Sequence, residues 1–155
     1  TRIFEGANEV LRFHLAAGAL PFAGEVPSAL AERLPAPLET HARRFDDLHR
    51  RARAALAGLA ETFGPRVMEH QLRLAGCADA FIGLLALEAS LLRGGAELGD
   101  LSGETATVHL DRLAFLTELL GREIEDGLRQ AEDERFETTA SRLAGHEVDV
   151  ARARL

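Results

Sequence analysis

Apolar positions recur along most of this chain with the period of an α-helix. Between about 38 and 62, Leu38, Ala42, Phe45, Leu48, Ala52, Leu56, Leu59 and Phe63 follow one another at spacings of three and four. That spacing places them on one face of a helix. Gly64-Pro65 predicts its end, with the proline positioned to open the next helix. A second pattern covers about 66–93 through Val67, Leu74, Ala78, Phe81, Ile82, Leu85, Ala89 and Leu92, and Gly94-Gly95 is expected to stop it. A third starts from Ser102 as N-cap and runs to about 135, striped by Leu113, Leu116, Leu120, Ile124 and Leu128. Shorter helices are expected at about 9–19, capped by Asn8 and ending near Gly18, and at about 138–153.

Strand-type alternation is absent from this pattern, so the expected class is all-α. The stripes are too wide for a two-stranded seam. They suit an antiparallel helical bundle of three long helices plus shorter flanking helices. Residues 20–37 carry Pro21, Pro27, Pro35 and Pro37 and read as a linker holding one short turn capped by Ser28. Gly58, Gly76, Gly83, Gly121 and Gly127 fall inside the predicted helices, where each costs about 1 kcal/mol against alanine. Close backbone approach between helices is one reason for them; open, solvent-facing positions are the other.

Composition narrows the function classes. The chain has 155 residues, one domain's worth, and 46% of them are hydrophobic, so disorder is not expected. All eight aromatics are Phe, which argues against a base-stacking surface or a membrane-interface belt. A net charge of −7 disfavours nucleic acid as a partner. Every basic residue is Arg; without Lys there is no Schiff-base chemistry and no Walker-type phosphate loop. An Arg-only basic set is what GC-rich coding yields, which points to a bacterial source. No apolar run approaches the ~20 residues of a membrane span, and no secretory signal is seen. A reducing, soluble compartment, the bacterial cytoplasm, is the expected location. Thr1 stands where Met is expected and the chain enters patterned sequence at once, so it reads as a piece of a longer protein.

Most chemistry-bearing residues read as structural. There is no Glu-x-x-His pair of the kind a di-iron bundle needs, only Asp46-x-x-His49, so no metal site is expected. Cys77, between Ala75-Gly76 and Ala78, reads as a buried small hydrophobe. Arg43, Arg44, Arg50, Arg51 and Arg53 form a basic cluster, but Asp46–Arg50 and Asp47–Arg51 pairs can neutralise it. The acidic stretch Glu123–Glu137 reads as an exposed helix end. The first dozen residues differ. Glu5 sits between Phe4 and Gly6, just before a helix cap. An apolar neighbour raises a carboxylate's pKa toward the working pH, as a proton-abstracting base requires.

The run Arg2-Ile3-Phe4-Glu5-Gly6-Ala7-Asn8-Glu9-Val10-Leu11-Arg12 closely resembles the C-terminal active-site segment of the acyl-CoA dehydrogenases, R-I-[FY]-E-G-T-[NS]-[DE]-I-[LQ]-R. The resemblance implies that Glu5 removes the α-proton of a fatty acyl-CoA while hydride leaves the β-carbon for FAD. It implies that the Glu5 backbone N–H helps polarise the thioester oxygen, together with the flavin ribose, and that Gly6 lines the acyl-CoA path. Ala7, Asn8 and Glu9 would touch the FAD, often that of a neighbouring subunit. Ala7 departs from the usual Thr, which removes a hydroxyl contact to the cofactor.

The rest of the chain resembles, more loosely, the helical extension of the very-long-chain subgroup. This divides the chain into the end of a catalytic domain (1–19), a Pro-rich linker (20–37) and a helical-bundle extension (38–155). The family implies a homo-oligomer, an electron-transfer flavoprotein as redox partner, a role in β-oxidation and, in a eukaryote, a mitochondrial location. Membrane association in the family runs through a basic linker, whereas residues 20–37 hold only Arg33 as a positive charge. The chain alone lacks a Gly-rich or strand-bearing region to hold a flavin and is expected to be inactive. The competing reading is a non-catalytic helical interaction or dimerisation module.

Overall fold

A computed structural model describes residues 11–12, 14–20, 29–133 and 135. Among them there is no strand, and three long helices dominate: α1 (Glu39–Phe63), α2 (Gln71–Leu98) and α3 (Gly103–Glu132). The class is all-α. Gly94 faces Leu113 at one end of the α2–α3 pair and Gly76 faces Gly127 at the other, so these two helices run antiparallel. Phe45 and Leu48 of α1 share a core cluster with Leu87 and Leu91, and Leu56 and Leu59 share another with Leu74 and Cys77. The bundle is therefore up-down-up.

Local chemistry explains most of the boundaries. Gly64, at φ 52°, takes a conformation that L side chains rarely adopt, and it ends α1. Pro65 opens a 3₁₀ helix over Gly64–Glu69, and the α-helix itself begins only at Gln71, five residues later than the pattern suggests. At the other end α2 runs through Gly94-Gly95 to Leu98, correcting the expected stop. These two glycines are contact positions. A Cβ on Gly94 would lie 2.6 Å from Leu113 Cδ1, and one on Gly95 would lie 3.0 Å from Leu34 Cδ2. Ser102 does precede α3 in extended conformation but makes no side-chain cap bond; instead Thr105 Oγ1 donates to its carbonyl at 2.6 Å.

The tightest packing is between the backbones of α2 and α3. A Cβ on Gly76 would sit 2.6 Å from the Gly127 carbonyl oxygen, and one on Gly127 would sit 2.7 Å from the Gly76 carbonyl oxygen. Of the interior glycines, Gly58 has nothing within 4 Å of such a Cβ, so it alone matches the open-position reading. The buried face of α2 also differs from the expected stripe. Ile82 is 45% exposed and Leu85 68% exposed, and Ala89 is exposed too. Helix α2 is apolar on nearly every side, so periodicity does not mark which side is covered. It is also the one described helix long and apolar enough to cross a membrane by length and composition, although half of its most apolar window is buried against the bundle.

Polar ties close the ends. Asp46 on α1 accepts the backbone N–H of Leu30 at 2.8 Å and of Ala31 at 3.3 Å, holding the 3₁₀ turn Leu30–Glu32 against the bundle. That turn's N-cap is Ala29, with no local side-chain cap, and the expected cap Ser28 lies outside the described residues. A second 3₁₀ turn, Ala36–Leu38, leads into α1. Arg73 Nε donates to the Ala131 carbonyl at 2.7 Å and Gln130 Nε2 to the Leu72 carbonyl at 3.0 Å, joining the end of α3 to the start of α2. The expected helix at 138–153 and part of that at 9–19 fall outside the described residues, although 14–19 is helical.

Alanine substitution separates the two kinds of glycine. Gly58→Ala is expected to raise stability by about 1 kcal/mol through helix propensity. Gly76→Ala and Gly127→Ala are expected to lower it by roughly 1–3 kcal/mol, because backbone atoms cannot yield as a side chain does. Urea unfolding of the three variants measures both signs.

Candidate functional site

The candidate base Glu5, the substrate-path Gly6 and the cofactor residues Ala7, Asn8 and Glu9 lie outside the described residues. What is described is the helical stretch that follows them and how it is held. Arg12 Nε lies 2.8 Å from Asp79 Oδ1 on α2. One turn on, Ala16 is fully buried in a cluster with Leu56, Leu59, Val67, Leu74, Cys77 and Ala78. Burial fixes the position of this segment, and the ion pair, partly exposed on both sides, fixes its rotation more than its stability.

Beside Arg12 a groove of about 420 Å³ runs between α2 and α3. Gly83 and Gly127 line it, together with the polar residues Asp79, Glu123, Asp126 and Gln130 and the apolar Ile82, Ala86 and Leu120. Asp79 occupies Arg12, and Arg129 pairs with Asp126. An anionic group such as a pyrophosphate would meet carboxylates here, with no free cation among the described lining residues. The groove does not fit FAD or the phosphates of a CoA ester.

A larger groove, about 580 Å³, lies at the α2–α3 turn among Glu97, Asp100, Glu104, Thr105, His109 and Arg112. His109 is tied down in it. Its Nε2 stands 3.0 Å from the Gly94 carbonyl oxygen, which can only accept, so that nitrogen carries the hydrogen. Among the described residues no group of three His, Cys, Asp or Glu could hold a metal ion.

The remaining reactive side chains are structural. Cys77 is wholly buried, and that burial pushes its thiol pKa up to about 12, against a lesser pull from Arg73. His70 stacks on Phe63 with ring centroids 3.5 Å apart, and the Arg73 guanidinium lies 5.3 Å from the same ring centre. His49 is tilted against Phe45 at 5.5 Å. Burial, helped by nearby Arg53, holds it below the ordinary histidine value, while Glu88 and Asp46 pull the other way.

The basic cluster is largely neutralised, though not through the expected Asp46–Arg50 and Asp47–Arg51 pairs. Asp47 pairs with Arg50 at 2.8 Å, Glu39 with Arg43, and Arg44 reaches across to Glu118 and Glu125 of α3. Asp46 is committed to the Leu30 turn. No signal in the sequence alone marks that role. No protein-family model, curated protein or solved structure matches the chain.

With a thiol value near 12, Cys77 holds about one ten-thousandth of its sulfur as thiolate at pH 8. Alkylation by iodoacetamide is expected to be undetectable in the folded chain and rapid in denaturant. Folding keeps the thiol protonated, so the same shift lowers stability as pH rises from 9.0 toward 12. His49 is expected to titrate below 6.5, followed by its ring proton NMR shift. Its contribution to stability is full above pH 6.5 and is lost as pH falls toward the lowered value.

Proposed function

We propose that this chain is the C-terminal part of an FAD-dependent acyl-CoA dehydrogenase of the very-long-chain-like type, acting on fatty acyl-CoA in β-oxidation. The observation that carries this reading is the eleven-residue run Arg2–Arg12, whose last residue is the one that pairs with Asp79 of the bundle. Glu5 is the base: its carboxylate takes the α-proton of the thioester, and its backbone N–H steadies the oxyanion that forms. Gly6 leaves room for the acyl chain beside the backbone. Ala7, Asn8 and Glu9 touch the FAD, often that of a neighbouring subunit, with Ala7 lacking the hydroxyl contact of the family's usual Thr. FAD's contribution is to accept hydride from the β-carbon, and since the groove beside Arg12 does not suit it, that chemistry resides with the parent body.

In this reading the Arg12–Asp79 pair and the burial of Ala16 give the bundle its purpose. They brace the helix that follows the base, so the bundle stiffens the base's support from behind. The parent is a homo-oligomer in the bacterial cytoplasm and passes electrons to an electron-transfer flavoprotein. A second reading, a non-catalytic helical interaction module, is favoured by a different observation. Apolar side chains at Ile82, Leu85, Phe115 and Leu119 stand in solvent on the outer faces of α2 and α3.

Glu5→Gln in the full-length parent is expected to lower turnover about 10²–10⁴-fold with flavin absorbance intact. Near-normal turnover would remove the base assignment. The 155-residue chain alone is expected to bind no flavin and to dehydrogenate no palmitoyl-CoA.

A further inference from the structure

The outward face of α3 carries an apolar stripe. Val108 is 43% exposed, Phe115 67% and Leu119 45%. At 100° per residue the three fall within a ~40° arc, opposite the side on which Leu113, Thr117, Gly121 and Ile124 are buried. The stripe is flanked by charges. Asp111 and Arg122 lie on one side of it, Arg112 and Glu123 on the other, and all four are exposed. None of the four has an ion-pair partner among the described residues, whereas their neighbours Glu118, Glu125, Asp126 and Arg129 all do.

We propose that this face is the interface with a second copy of the same chain, α3 packing antiparallel on α3. The order of the charges makes the face self-complementary. A two-fold axis crossing the stripe at the level of Thr117 turns each flank toward the same flank of the other copy. Phe115 then meets Leu119 of the second copy, two residues either side of the axis. On one flank Arg112 meets Glu123, and on the other Asp111 meets Arg122, each pair five and six residues from the axis. Every contact occurs twice, which gives four opposite-charge pairs around two Phe–Leu contacts.

Parallel pairing would also set opposite charges across the flanks, as Arg112 against Asp111 and Glu123 against Arg122. It would, however, bring Asp126, which lies on the line of the stripe itself, against the same carboxylate of the second copy, and align the two helix dipoles. Antiparallel pairing sets Asp126 against Val108 and opposes the dipoles. The exposed face of α2 offers no such match, because the charges that border it, Asp79, Glu88 and Arg93, are already paired with Arg12, Arg33 and Glu97.

This interface specifies the self-association within the reading above, but it stands on α3 alone and does not depend on the dehydrogenase assignment. A single-helix stripe belongs at the small end of specific interfaces, so association is read at about 100 μM by sedimentation equilibrium. The wild-type chain is expected at twice its 16.8 kDa mass. Phe115→Glu and Arg112→Glu, both at exposed positions, are expected to sediment as monomers with unchanged helical circular dichroism. The double variant Arg112→Glu/Glu123→Arg is expected to regain the dimer, since it exchanges the charges across the antiparallel axis; in a parallel pair it would create like-charge contacts instead. A monomeric wild type, a dimer indifferent to Phe115→Glu, or a charge swap that fails to restore association overturns the proposal. None of these outcomes bears on Glu5, whose test is turnover.

Discussion

The reciprocal close approach of the Gly76 and Gly127 backbones is the constraint on which the rest of the bundle depends. Two helices can come this near only where neither carries a side chain, and here the absence is mutual. The approach brings Ala80 and Ala131, both almost wholly buried, into the seam, and it lets Arg73 and Gln130 reach backbone carbonyls across it. Farther along the same seam, Gly83 accommodates Ile124 and Gly94 accommodates Leu113. With α2 and α3 drawn together, α1 lies in the channel they form. Its six buried residues, Ala42 to Leu59, are covered there.

Around that core, charged groups serve geometry more than net stability. Exposed pairs of this kind contribute little each, but several join separate elements. Asp46 holds the 3₁₀ turn at Leu30, Arg44 links α1 to α3, and Arg12 links the N-terminal helical stretch to α2. The last of these bears on function. A base is useful only if its backbone stays where the substrate's α-carbon is presented. In the proposed enzyme, Arg12 is paired and Ala16 is buried, so the helical stretch that follows the Glu5 run in sequence is held against the bundle.

Helices α2 and α3 each have a covered face and an uncovered one, and the uncovered faces differ in chemistry. On α2 the outward side is Ile82, Leu85 and Ala89, and the charges that border it, Asp79, Glu88 and Arg93, are already paired. On α3 it is Phe115 and Leu119 between rows of arginine and carboxylate. Apolar area exposed to water invites association, and charge rows decide the partner and its orientation. The two faces are thus equipped for different neighbours.

The sequence by itself determined the all-α class, the three long helices and the inward faces of α1 and α3. In those two helices polar and apolar residues are segregated strongly enough to mark a side. It also pointed to Glu5 and its neighbours as the place for chemistry, through an eleven-residue run that needs no fold to be seen. Helix α2 was not legible in this way, because a helix apolar all round has no preferred face until others cover it. Gly94-Gly95 reads as a stop on local propensity, yet the helix continues through it, since Leu113 and Leu34 need the space a Cβ would take. Likewise the choice of Asp46 as a cap for Leu30, sixteen residues earlier, rests on a fold that brings them together. Side-chain periodicity is written residue by residue; the meeting of distant backbones exists only once the helices have packed.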